Sequence, residues 1–177
     1  MKTLAMFLFL FAINSKPLTT PHTACDVRFS IENAGFEVDG TLSVIHSKII
    51  FDPEHLASSD VEIILDPSSI ETGIDIRNKH LKRSDYFDVA RFPEIRVRSI
   101  GFKKRSKHEI TGEFSLTIKS ITRQLVIPIK IKQLGSTVSY EATFDINRLD
   151  FTLGEESLTL DNIVRVTVSG EVDLNHN

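Results

Sequence analysis

Apolar and polar side chains take turns along almost the whole chain after residue 24, and this period of two restricts its fold more than any other feature. Successive side chains of an extended strand point to opposite faces, so alternation predicts strands with one face buried and one in water. Ile110, Phe114, Leu116 and Ile118 are interleaved with Glu109, Thr111, Glu113, Ser115, Thr117 and Lys119. Leu125, Ile127, Ile129 and Ile131 follow, then Val138, Tyr140, Ala142, Phe144 and Ile146, then Val164, Val166, Val168 and Val172. Earlier faces are formed by Val27, Phe29 and Ile31; by Phe36, Val38, Leu42 and Val44; by Val61, Ile63 and Leu65; and by Ile95 and Val97. Between Val44 and Ile49 the apolar parity changes from even to odd, which requires one extra residue and predicts a bulge near His46. Pro128 lies on the outward parity, where its missing N–H fits a bulge or an unpaired edge.

Two stretches leave the pattern. Asp52-Pro53-Glu54-His55-Leu56 reads as one helical turn, with Asp52 as N-cap and Pro53 in the first position. Thr72-Gly73-Ile74-Asp75 opens a second helix running to about Arg83, with Thr72 as cap, Asp75 at its positive end, and Ile74 and Leu81 on one face. That helix is placed to act as a lid over one barrel mouth.

About eight long strands is the number that closes into a barrel holding side chains or one small ligand. The expectation is therefore a mainly β fold: an eight-stranded antiparallel β-barrel with a short helix and a lid helix at one mouth. Gly40, Ser99, Gly101, Gly112, Ala142 and Gly170 fall on the inward parity, and small inward residues leave volume to be filled. The same residues would also suit barrel taper, coiling or bulges. The expected ligand-binding interior comprises Phe29, Val38, Gly40, Leu42, Val97, Gly112, Phe114, Leu116, Ile127, Ile129, Tyr140, Ala142, Phe144 and Val166. This set is nearly all aliphatic or Phe and would select a guest by length and bulk. Burying one isoprene unit is worth on the order of 3–4 kcal/mol, at about 0.8 kcal/mol per buried carbon group.

At the mouth, Arg77, His80 and Asp85 cluster around the lid helix, where they either bind a polar head or serve as helix capping and a surface ion pair. Leu81 belongs to the same lid, and Tyr86 and Phe87 follow, one of them expected to plug the opening. Lys103, Lys104, Arg105 and Lys107 form a basic turn that reads as a solvated hairpin tip or as a peripheral contact with anionic membrane.

The chain begins with Lys2 and an apolar run from Leu4 to Ile13, ending at Asn14 and Ser15. This reads as a signal peptide over 1–15, too short to span a bilayer comfortably, followed by a polar linker over 16–24 and the barrel over 25–174. Export implies a periplasmic or secreted protein. Cys25 is the only cysteine, so no intramolecular disulfide can form, and it reads as a small buried hydrophobe at a strand start. A net charge of −3 gives no footprint for nucleic acid. There is no Gly-x-Ser-x-Gly elbow, Walker loop or His-Glu-x-x-His motif, and the six histidines lack metal-site spacing. The expectation is a protein that is not an enzyme, uses no metal and requires no cofactor.

Several short strings, in order, resemble the YceI-like family. They are Val38-Asp39-Gly40-Thr41, Ile50-Phe51-Asp52-Pro53, Ser69-Ile70-Glu71-Thr72-Gly73, Arg77-Asn78-Lys79-His80-Leu81, Ser84-Asp85-Tyr86-Phe87-Asp88 and Phe92-Pro93-Glu94-Ile95. The run from Ile110 to Ile118, ending at Ile121-Thr122-Arg123, is similar to that family's later hairpin. The resemblance implies a lipocalin-like extended barrel in the bacterial periplasm or outside the cell. It further implies a bound polyisoprenoid, such as an isoprenoid quinone or polyprenyl lipid, and does not imply catalysis. Asn78 stands where the family commonly has Asp, Tyr86 where it commonly has Phe, and Asn33-Ala34-Gly35 replaces a His-containing segment. The competing expectation is a packed barrel acting through protein partners in an envelope stress response. The oligomeric state is left open, a homodimer included.

Overall fold

The computed structural model describes residues 25–174 of the protein; the expected signal peptide and linker lie outside the described residues. Eight strands close into one antiparallel barrel in sequence order: β1 (Cys25–Asn33), β2 (Phe36–Ile50), β3 (Asp60–Glu71), β4 (Ile95–Lys104), β5 (Glu109–Ile118), β6 (Ile121–Leu134), β7 (Thr137–Asn147) and β8 (Ile163–Asp173), with β8 pairing back to β1. Closure removes the free edges that an open sheet of these strands would expose. A helix, α1 (Asp75–Leu81), lies in the β3–β4 connection.

Because neighbours in the chain are neighbours in the barrel, its two ends have different owners. The β1–β2, β3–β4, β5–β6 and β7–β8 connections gather at one end, with α1. The β2–β3, β4–β5 and β6–β7 connections gather at the other. Hydrogen bonds tie the helix end together: Ala34 N donates to Thr159 O, Gly154 N to Asp85 O, and Lys119 Nζ to Thr152 O. The two-residue Ala34-Gly35 turn has positive φ at both positions (54° and 81°), the geometry that matches strand twist in a tight hairpin.

The alternation read from the sequence is the observed inside–outside pattern over most of each strand. Val27, Ile63, Leu65, Ile95, Leu116 and Ile118 are buried in the largest core cluster, joined by Phe151 and Leu153 from the β7–β8 connection. The outward residues are paired across strands: Arg98 with Glu62 (2.7 Å) and Arg165 with Asp145 (3.1 Å), both in direct register. Exposed pairs of this kind contribute little, because water screens them. The β2–β3 register shifts between Val44 and His46, where the parity change required it. Pro128 pairs with Thr111 on β5 and is exposed, and the β6–β7 ladder stops one residue away, at Ile129 opposite Ala142.

Several local expectations are corrected. The short helical turn is a 3-10 turn at Leu56–Ser58, and Asp52 precedes it, its Oδ1 accepting from Glu54 N and His55 N in an Asx turn. Thr72 does not cap α1; Ile74 occupies that position without a side-chain hydrogen bond, and α1 ends at Leu81, short of Arg83. Ile74 is half exposed, so it does not share a buried face with Leu81. Phe36, expected inside, is 75% exposed, because the β1–β2 hairpin carries it beyond the rim. Gly101 is not inward either. A register shift between Ser99 and Gly101 pairs it with outward Glu113 and turns Phe102 to the interior. Ser99 is taken up by the sheet, its hydroxyl accepting from Val61 N (2.9 Å) beyond the last β3–β4 register pair.

Candidate functional site

The barrel is not filled by its own side chains. It encloses a cavity of about 580 Å³ to which all eight strands contribute aliphatic or Phe side chains. Its volume does not come from the inward glycines. A Cβ on Gly40 would stand 2.2 Å from Phe29 Cζ, and one on Gly112 would stand 2.3 Å from Phe114 Cε2. Both glycines exist to admit an aromatic ring. Ala142 does face the cavity, and Gly170 lies between Cys25 and Tyr140 in the ladder.

Of the residues expected inside, Phe29, Val38, Leu42, Val97, Phe114, Leu116, Ile127, Ile129, Tyr140, Ala142, Phe144 and Val166 line the cavity; Gly40 and Gly112 do not. Of those expected at the mouth, Arg77, His80, Leu81, Tyr86 and Phe87 line it, and Asp85 does not. Asp85 instead holds His80, with Oδ2 3.3 Å from Nε2, and its backbone carbonyl receives Gly154 N. The His80 ring meets Tyr86 edge-on at 5.0 Å.

The two ends of the cavity differ. Away from the helix, Phe51, Ile110 and Val138 are buried together under Ile49, Leu56, Phe102 and Leu174, and form an apolar floor. At the helix end Asn33, Thr72, Arg77, His80 and Arg148 join a lining that is otherwise still apolar. It also reaches the surface there: Ile76 lines the cavity and is 78% exposed. The basic turn, read as a solvated hairpin tip or a membrane contact, lies at the floor end, where Lys103 pairs with Glu113 (2.8 Å) and Arg105 Nε donates to Thr111 Oγ1.

A polar latch holds α1 to the barrel. Thr72 N and Thr72 Oγ1 both donate to Asn78 Oδ1 (2.9 and 2.6 Å), and Asn78 Nδ2 donates to Glu71 Oε1 (2.8 Å). Arg77 donates to the Thr72 hydroxyl and carbonyl. An aspartate at position 78 could not donate to Glu71 and would set two carboxylates side by side, so the amide suits this chain. The Asn78 amide, and then Gly73 N, hold the Glu71 carboxyl below its ordinary range. A group with a depressed folded pKa stabilises the fold above its unfolded pKa, and this is lost as pH falls through the folded value. Thermal stability measured from neutral to about pH 3 should therefore fall on the acid side. Glu71→Gln should lessen that fall; an unchanged acid limb would show that the latch does not depend on this carboxylate.

Arg148 was not singled out from the sequence, yet it is 2% exposed and lines the cavity. Its guanidinium donates to Asp161 O, Leu153 O and Asn162 Oδ1, each at 2.9 Å. No carboxylate among the described residues forms an ion pair with it. The signal was present in the parity, since Arg148 follows Ile146 by two and continues an inward face. Arg148→Met should cost about 2 kcal/mol, because it removes the donor to the buried Leu153 carbonyl along with two part-buried hydrogen bonds. The denaturant midpoint reads this directly; a loss under about 1 kcal/mol would mean the β7–β8 connection is held by other contacts.

At the opposite end of β7, the Tyr140 hydroxyl is buried without a geometrically sound hydrogen bond among the described residues, and the Cys25 thiol is its near neighbour. Burial pushes the ionisation of both groups upward, so both are neutral at ordinary pH and the thiol is a poor nucleophile.

A family model described as the YceI-like domain matches residues 19–177. Protein YceI of Escherichia coli O6:H1 is 27% identical over 152 residues, covering 79% of this chain and 78% of that protein. Among solved structures, Burkholderia cenocepacia BcnA superposes with a TM-score of 0.77 at 19% identity, covering 84% of this chain and 96% of that one. A polyisoprenoid binding domain from Saccharophagus degradans, implicated in plant cell wall breakdown, superposes with a TM-score of 0.67 at 13% identity, covering 85% and 94%. At these identities the solved structures show a shared fold.

Proposed function

This chain belongs to the YceI-like family, and on that premise we propose that its barrel binds and carries a long apolar lipid, a polyisoprenoid or isoprenoid quinone, without catalysing a reaction. The observation that carries this reading is the apolar cavity of about 580 Å³. A packed interior leaves few voids larger than a water molecule, and this one is many times that size. Such a space is kept for a guest and is not a packing defect, which weighs against a solid barrel working only through protein partners. The polyisoprenoid binding named for the Saccharophagus degradans domain of the same fold supports the choice of lipid class.

The guest lies with its tail toward the Phe51–Ile110–Val138 floor and any polar head near Arg77, His80 and Arg148. The lining offers the tail dispersion contacts and no hydrogen-bonding pattern, so discrimination falls on length and bulk. The apolar run from Leu4 to Ile13 supports reading the carrier as an exported one, working in the periplasm or outside the cell. Native mass spectrometry with organic extraction, on protein purified from an exporting cell, tests the reading. A discrete added mass that extracts as an isoprenoid is expected. A bare polypeptide, still bare after incubation with isoprenoid quinones and polyprenols, overturns it.

A further inference from the structure

Large apolar side chains left in water are unevenly distributed over this barrel. Phe36 (75% exposed), Ile74 (49%), Ile76 (78%), Leu158 (107%) and Ile163 (43%) lie at the helix end, whereas Ile45, Ile100 and Val126 are scattered singly along the barrel wall and Leu134 stands at the floor end. Those at the helix end sit on one rim. Phe36 closes the β1–β2 hairpin opposite Asn33, Asn33 bridges to Leu160, and Ala34 N donates to Thr159 O, beside Leu158. Asn33, Leu160 and Ile76 all line the cavity, so the apolar interior continues outward onto this rim. The other end is closed by its apolar floor.

We propose that the helix-end rim docks on the surface of a lipid bilayer, with Phe36, Ile76 and Leu158 entering the interface so that the cavity mouth opens into lipid. This rests on the reading of the barrel as a lipid carrier. A polyisoprenoid drawn through water would expose every isoprene unit it had buried. A mouth set against the bilayer removes that barrier, and no other partner need accept the tail. The rim's charges are mixed: Glu155 and Glu156 flank Leu158, while Lys79 and Arg83 are exposed on and after α1. Docking is therefore driven by apolar insertion, does not require anionic lipid and is insensitive to salt. The basic turn, at the opposite end, faces away from the bilayer.

The chain contains no tryptophan, so a single introduced one reports its own surroundings. Leu158→Trp and Phe36→Trp would be compared with Leu134→Trp, which replaces a residue 80% exposed at the floor end. Each full-length variant, checked for native circular dichroism, is mixed with phosphatidylcholine vesicles, plain or carrying brominated acyl chains. The expected result is a blue shift and severalfold bromine quenching at positions 158 and 36, unchanged by salt, with neither at position 134. Because the reporter is local, attachment through the N-terminal apolar run cannot imitate this pattern. Immersion at position 134, equal response at all three positions, or no response at 158 and 36 overturns the proposal. Native mass spectrometry of the same samples separates the two readings. Lipid-loaded protein with a dry rim sinks the docking alone, whereas an immersed rim on protein that never holds lipid sinks the carrier.

Discussion

Replacing Ala142 with phenylalanine is expected to empty the barrel while leaving it folded. Ala142 is buried midway along β7, faces the cavity, and packs with Phe114 and Ile127. A benzyl group there takes space that a guest would fill, roughly that of one isoprene unit. Losing the burial of one such unit removes about 3–4 kcal/mol, or roughly a hundredfold or more in affinity. The protein itself gains apolar contacts in a space it does not fill, so its melting temperature without lipid should hold or rise. Titration with an isoprenoid quinone, alongside thermal melts of delipidated protein, separates the outcomes. Unchanged affinity with a large loss of stability would mean that this part of the barrel is packed solid.

Gly40→Leu is expected to do the reverse, damaging the fold before it touches the guest. Gly40 pairs directly with Phe29 on β1, whose ring lies over the glycine with Cζ 2.2 Å from where a Cβ would stand. The ring must turn out of its place to admit a side chain there, so overpacking should cost about 1–3 kcal/mol in denaturant melts. The cause is a single clash, so Phe29→Ala should restore much of the loss in the double variant. Gly40→Leu melting like the parent protein would show that the Phe29 ring swings freely into the cavity.

These two substitutions also mark where reading the chain alone succeeds and where it stops. Alternation located all eight strands and the face of nearly every apolar residue, because a buried face imposes its period on each strand independently. The bulge near His46 was legible for the same reason, as a break in that period. The inward glycines were legible as inward but not as to purpose. Whether Gly40 leaves a void or admits the ring of Phe29 depends on a partner eleven residues away, and that register is set by the hairpin. Gly101 was misplaced because a second bulge lay one residue before it, with too few apolar positions after it to reveal the parity change. Thr72 carries the pattern of a helix cap but is drawn into a network with Asn78 and Arg77, a tertiary contact that outweighs a local preference.

The floor formed by Phe51, Ile110 and Val138 has a consequence for the order of events. A barrel stopped at one end has one door, so a guest leaves by the way it entered, and the end that went in last comes out first. The same stop makes the barrel a gauge. From Val138 to Asn147 along β7 the strand runs about 30 Å at about 3.3 Å per residue, and the tilt of barrel strands makes that a depth of about 23 Å along the axis. A tail shorter than that depth leaves space unfilled, and a longer one must fold back or stand out at the rim. Within one chemical series, chain length alone should then set both how tightly a guest is held and how readily it is surrendered.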